Sequence, residues 1–241
     1  MSDKTLLLPA VILSLGLAVL GGGIAYGLMA FKASDKTVTV KGLSMRDVEA
    51  DLAIWTIRHT ATGDDLATVQ AQITANTGKI KTYLTNQGLA ATDISREKLE
   101  VTDLLANAYR SGDIAGPRYI ITSNITVRTK AVDTLDKAFA GMGELLLQNV
   151  AIANEQGRNP LEYVFTGLND LKPEMIAEAT QSARESATQF AKDSGTHVGS
   201  IKYANQGVFQ ILPRDSEDGY MQGQSRYKTV RVVSTVNFEL E

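Results

Sequence analysis

The pattern of apolar residues predicts an α+β protein, in which an N-terminal transmembrane helix precedes a domain of antiparallel strands and long amphipathic helices built as two pseudo-repeated lobes. Three observations lead there. From Thr5 to Phe31 the chain carries no charge, which exceeds the roughly 20 apolar residues needed to cross a bilayer. Beyond Lys32 the hydrophobic period switches between two and about 3.6 residues, the alternation expected when strands and helices follow one another. The order of elements then occurs twice: a strand pair, a long helix ending in Gly, a strand, a Gly-rich polar loop and an alternating strand. The expected organisation is a short tail over 1–4, a membrane helix over 5–31, a linker over 32–36 and a folded domain over 37–241, with lobes of about 37–130 and 131–241.

A cleaved signal peptide is the rival reading of the apolar segment, with Ala25-Tyr26-Gly27 as a small-x-small site. Signal peptides carry an apolar stretch of only about 7–15 residues, so a retained anchor in contact with membrane lipid is the expectation. Charge leaves its sidedness open: Lys4 flanks one end, and Lys32, Lys36 and Lys41, partly offset by Asp35, flank the other. The positive-inside rule leans, if anything, towards a cytoplasmic domain. Gly23 with Gly27 forms a GxxxG, and Ala18 with Gly22 a second small-xxx-small pair, a spacing that permits close helix approach. Glycine is also simply common in membrane helices.

In the domain, Val38-Thr39-Val40 and Leu52 to Thr60 read as strands, with Trp55 in the core. Leu66, Val69, Ile73, Ile80 and Leu84 share one helical stripe, which Asp64 or Asp65 opens as N-cap and Gly88 closes. A strand over Leu99 to Leu105 and a loop over Asn107 to Pro117 lead to the clearest strand, where Tyr119, Ile121, Ser123, Ile125 and Val127 face one way. Val132, Leu135, Phe139, Met142, Leu145 and Leu146 mark a second helix, and Val150 to Ala153 with Leu161 to Gly167 a strand pair around a turn at Gly157 and Pro160. The third helix, about Pro173 to Ser194, turns Ile176, Ala179, Ala183, Ala187 and Phe190 inward and ends at Gly195. Ile201 to Leu212 reads as a strand, and Lys228 to Leu240 as a final one burying Val230, Val232, Ser234, Val236 and Phe238.

Bulk composition excludes several functions. Net charge is −3, so no electrostatic footprint points to nucleic acid. With no Cys there are no disulfides, thiolate nucleophiles or thiolate metal sites. The two histidines, His59 and His197, lack a second ligand at metal spacing, and Gly21-Gly22-Gly23 has no following Lys-Ser/Thr to make a phosphate cradle. No Gly-x-Ser-x-Gly elbow occurs, and Asp64-Asp65 fits a helix cap better than an acid/base pair. The expectation is therefore no enzyme activity, no cofactor and no metal. Two polar loops, Asn107 to Arg118 and Pro213 to Arg226, occupy equivalent places in the repeat. Tyr109, Arg110, Arg118, Tyr220, Arg226 and Tyr227 are residue types that dominate interfaces, so together they are the candidate oligomer or partner contact; solvated hairpin ends are the bland alternative.

Val38-Thr39-Val40-Lys41-Gly42 followed by Asp51-Leu52-Ala53, the helix ending Asn86-Gln87-Gly88-Leu89 that leads into Asp93-Ile94, and the Ala-rich helix whose Ala191-Lys192 precedes Gly195 carry a resemblance to a known family. Over about Thr37 to Glu241 the chain resembles the SIMPL-domain proteins of the bacterial envelope, which include a periplasmic immunogenic protein of Gram-negative bacteria. It implies an α+β fold in the periplasm, high-order ring- or channel-like homo-oligomers, and links to envelope or oxidative stress without a defined reaction. The long apolar N-terminus departs from the cleavable signal of many members, which favours a single-pass inner-membrane protein with a periplasmic domain. Two functions then stand side by side: a membrane-tethered ring or cage, and an envelope sensor or adaptor that binds a protein partner.

Overall fold

A computed structural model describes residues 13–25, 36–106, 116–153, 160–215 and 223–241. Residues 13–25 form helix α1, in which every residue is exposed. Of the expected membrane helix, 5–12 and 26–31 lie outside the described residues, and among the described residues no helix is long and apolar enough to cross a membrane. Eight strands follow: β1 (Thr37–Glu49), β2 (Leu52–Gly63), β3 (Ile94–Asp103), β4 (Tyr119–Thr129), β5 (Leu161–Val164), β6 (Val198–Gln206), β7 (Gln210–Pro213) and β8 (Tyr227–Leu240). Between them lie α2 (Leu66–Asn86), α3 (Val132–Ala140), α4 (Gly143–Leu147) and α5 (Leu168–Asp193). The α+β class is as the periodicity predicts.

One sheet has the order β3-β4-β2-β5; the other runs β1-β8-β6, with β7 also paired to β8. In the first, β2, α2, β3 and β4 form a split βαβ unit with β4 inserted between the strands that α2 connects. In the second, β6 and β8 hold the places of β3 and β4, while the place of β2 is filled from the far end of the chain by β1. The strand that precedes α5, β5, goes to the other sheet and pairs with β2. The two strand orders thus correspond, with β2 opening one and β1 the other. Accordingly the compact units are not consecutive halves: one comprises 1–44, 174–209 and 232–241, the other 45–173 and 210–231, where the sequence predicts a division near residue 130.

The core of the second unit forms because β2 and β4 each present one apolar row to α2. Ala53, Trp55 and Ile57 meet Ile125 and Val127 from the paired strand and Ile80 and Leu84 from the helix. Phe139 abuts Trp55 edge-on, with ring centroids 5.4 Å apart, a favoured aromatic geometry. Asp65 caps α2 by accepting from the Thr68 N–H at 2.9 Å. The expected second helix is broken: Gly141 ends α3 and a short α4 resumes, which buries Leu145 but leaves Leu146 exposed. Val150 to Ala153 and β5 do not pair with each other as predicted. Both lie on the same edge of β2, through the His59–Ile152 bridge and the β5 ladder.

In the first unit α5 packs on β1 and β8, where Ala183 and Ala187 meet Val40, Val236 and Phe238. Its buried stripe is Met175, Ala179, Ala183, Ala187 and Ala191; Phe190, predicted inward, is 59% exposed. Small side chains at four-residue steps let the helix come close enough that Gly42 on β1 faces helix backbone. A Cβ there would run into the Ala179 carbonyl oxygen and lie 2.5 Å from the Ala183 nitrogen. β1 runs straight through Gly42. The predicted strand Ile201 to Leu212 is two, β6 and β7, which pair successive stretches of β8 with a one-residue change of register around Gly207.

Candidate interaction surface at the hairpin mouths

Tyr119 and Tyr227 are the first residues of β4 and β8, and each follows an arginine. At the β3–β4 mouth, Arg118 donates from Nε and Nη2 to both carboxylate oxygens of Asp103, at 3.2 and 3.0 Å. Its guanidinium carbon lies 4.7 Å from the Tyr119 ring centroid, within cation–π range. The Arg118 N–H donates to Asp64 just ahead of α2, at 3.0 Å. Hydrogen bonding to Arg118, more than its charge, holds the Asp103 carboxyl below the ordinary aspartate value.

At the β7–β8 mouth the same device uses different residues. Arg214 chelates Asp215 at 3.0 and 3.1 Å and stacks 4.6 Å from the Tyr227 centroid. This frees Arg226, the counterpart of Arg118. Its Nε donates to Glu49 at 2.6 Å, its Nη1 to Asp136 at 2.8 Å, and its Nη2 to Asp133. Tyr163 on β5 donates to the other oxygen of Asp136 at 2.6 Å. Burial first, then Asp136, pushes the Tyr163 phenol well above its usual range, and the three carboxylates, Asp133 foremost, raise Arg226. The returning loop is pinned beside them, since the Tyr163 N–H donates to the Gly223 carbonyl at 2.7 Å. Three carboxylates on one guanidinium leave a net negative patch, in which Asp133 is largely exposed.

Of the residues singled out in the sequence, Arg226 and Tyr227 therefore share one mouth and Arg118 holds the other, while Tyr109, Arg110 and Tyr220 lie outside the described residues. Ala18, Gly22 and Gly23 are exposed on α1, with open space where a Cβ would sit at either glycine; Gly27 lies outside the described residues. Glu49, Asp133, Asp136, Tyr163 and Arg214 were not anticipated. The repeated Arg-Tyr dipeptide, and the three-residue spacing that sets Asp133 and Asp136 on one face of a helix, are the signals that mark this place.

Chemically the cluster is built for holding. A phenol pushed upward is a poor base near neutrality, and three carboxylates already engage the Arg226 guanidinium. His59 is wholly buried, 3.1 Å from the Thr77 hydroxyl, and the His197 backbone pairs with Glu241 in both directions. Among the described residues no group of three or more His, Cys, Asp or Glu is placed to hold a metal ion. A family model named SIMPL, described as a protein of unknown function (DUF541), matches residues 38–238. No curated protein matches the chain.

Proposed function

The chain belongs to the SIMPL family, and on that footing we propose that it is a non-enzymatic protein of the bacterial inner membrane, anchored by its N-terminal segment, whose periplasmic domain builds a high-order ring- or cage-like homo-oligomer. The observation that carries this reading is α1. Leu13, Leu15, Leu17, Val19, Leu20 and Ile24 are each at least 56% exposed, within an uncharged stretch that extends from Thr5 to Phe31. Leaving such side chains in water forgoes about 1.5–3 kcal/mol apiece, so lipid is the surrounding that suits them. Extraction of membranes with alkaline carbonate tests the anchor, since a protein that washes off is not anchored. The particle mass in detergent tests the assembly, which a monomer at micromolar concentration refutes. A single Thr188→Cys, on the exposed face of α5, reports sidedness: protection from an impermeant thiol reagent in spheroplasts excludes the periplasm.

The second reading is an envelope adaptor that binds a protein partner. The exposed carboxylates of Asp133 and Glu49 around Arg226 favour it, because uncompensated charge on a rigid frame suits a cationic partner surface. A monomer or dimer that retains a stoichiometric second protein through purification decides for this reading over the first.

A further inference from the structure

The two ends of the β3-β4-β2-β5 sheet are unlike. At the β5 end the Tyr163 N–H donates to the Gly223 carbonyl at 2.7 Å, whereas β3 is the terminal strand and, among the described residues, pairs with β4 alone. Leu99 and Val101 stand opposite Ser123 and Ile121, both buried, and so lie on the helix-facing side of the sheet. Yet α2 packs over β2 and β4, and Leu99 and Val101 stay 43% and 49% exposed. An apolar row that belongs to the core side thus reaches the edge uncovered. Natural edges are usually protected by charge, a bulge or a covering element; β3 has a register shift at Ser95–Glu97, and from Lys98 onward its edge is regular.

The phase of that edge is fixed. The Leu104 N–H donates to the Arg118 carbonyl at 2.9 Å, one step beyond the Asp103–Tyr119 pair of the ladder. In an antiparallel ladder alternate residues bond to the neighbour, so the even-numbered residues of β3 turn their backbone groups to β4. Leu99, Val101 and Asp103 turn theirs to the open side.

We propose that two copies of this chain join through the open edges of β3, antiparallel and centred on Leu99, so that the sheet of one copy continues into that of the other. Charge selects this partner and register. Centred on Leu99, the strand sets Lys98 opposite Glu100 of the second copy and Glu100 opposite its Lys98, two opposite-charge cross-strand pairs on the outer face, while Leu99 meets Leu99 on the apolar face. Backbone phase agrees, because the Leu99 pair is then the hydrogen-bonded one and the Lys98–Glu100 pairs are the closer, non-hydrogen-bonded ones. Shifted to centre on Val101, Glu100 faces Thr102 and no opposite charges meet. At the β6 end of the other sheet the strand offers a single charged residue, Lys202, and has no self-complementary register. The contact is isologous, a two-fold step from which larger closed assemblies are built. It deepens the homo-oligomer reading above and rests on it.

The chain has no cysteine, so a single Leu99→Cys in the full-length protein, oxidised with diamide in membranes and in detergent, reports this contact alone. Paired strands bring the two Cα atoms to about 5.5 Å, within disulfide range, and a covalent dimer is expected. Val101→Cys is the register control: its copies are about 13 Å apart along the strand and are expected not to cross-link. Lys98→Glu should abolish the Leu99→Cys dimer or slow its formation at least about tenfold through two like-charge contacts, and adding Glu100→Lys should restore it. If particle mass shows an oligomer but Leu99→Cys stays uncross-linked, or Val101→Cys cross-links equally well, the β3 contact is wrong and the assembly survives. A monomeric wild-type particle refutes both.

Discussion

Arg226 holds Glu49, Asp133 and Asp136 at once, yet the exposed members of such a network contribute little individually; the half-buried Tyr163–Asp136 bond is the part with the larger consequence. Tyr163→Phe removes one hydrogen bond to a carboxylate, and a loss of about 1–2 kcal/mol in urea unfolding is expected. The same variant has a pH signature. Burial above all raises the Tyr163 phenol in the folded state over its ordinary value of 10.0, so folding favours its neutral form. That contribution is complete below about pH 10 and is lost as pH rises further through the folded value. Buried Lys228 is shifted down from 10.5, so its cost is relieved as pH rises towards that value; the difference between wild type and Tyr163→Phe, which shares Lys228, is therefore the quantity to measure, and it should narrow above pH 10. At the acid end, Asp65, Asp103 and Asp215 are all lowered from 3.8; their stabilisation is complete above that value and disappears as pH falls below it. Gly42 tests packing instead of charge. Because a Cβ there meets helix backbone, which cannot turn aside, Gly42→Ala should cost about 2–4 kcal/mol, and an unchanged denaturation midpoint would show that α5 does not sit where described.

At the scale of elements, what period and caps encode was legible and what partners encode was not. The inner row of β8, Val230 to Phe238, and that of β4 were readable because one face of each strand is buried and the other is not, and Asp65 was readable as a cap because its side chain acts locally. The helix stripe of α5 was misplaced at its end. Alanines at steps of four drift round the helix relative to a strict 3.6 period, so the stripe closes on Ala191 and leaves Phe190 outside. Isolated propensity cannot show this, since Phe is the more apolar residue and only the proximity of the sheet decides. The contrast predicts that Phe190→Ala changes stability by less than about 0.5 kcal/mol, whereas Ala187→Leu, where helix and sheet are in contact, costs about 1–3 kcal/mol. Thermal melts of the two variants in parallel check it, and the reverse ranking would return Phe190 to the core. The exchange of β1 for β5 was likewise beyond reach, because nothing local in either strand states which sheet it joins. Of the candidate surface, Arg118, Arg226 and Tyr227 were visible as residue types, while Arg214, Tyr163 and the acids around Arg226, which come from β1 and α3, needed the fold to bring them in.

For the molecule as a whole, the chain divides energetically at Lys36. Its carbonyl accepts from the Leu240 N–H at 2.9 Å, and from Thr37 onward strands and helices close into hydrogen-bonded sheets with buried cores. Every residue of α1, by contrast, is exposed, so α1 adds no core burial to the domain. Removal of residues 1–35 should therefore leave the urea midpoint of the domain within about 0.5 kcal/mol of the intact protein, while it moves the protein from the membrane pellet to the supernatant. The truncated chain also separates two sources of assembly. Any association through Ala18, Gly22, Gly23 and Gly27 would be lost with the segment, whereas the proposed edge contact through β3 would remain. If the shortened protein keeps its particle mass, the domain carries the association; if it falls to a monomer whose Leu99→Cys form no longer cross-links, the N-terminal segment supplies it. A shortened chain that still pellets with membranes would remove the N-terminal segment as the anchor.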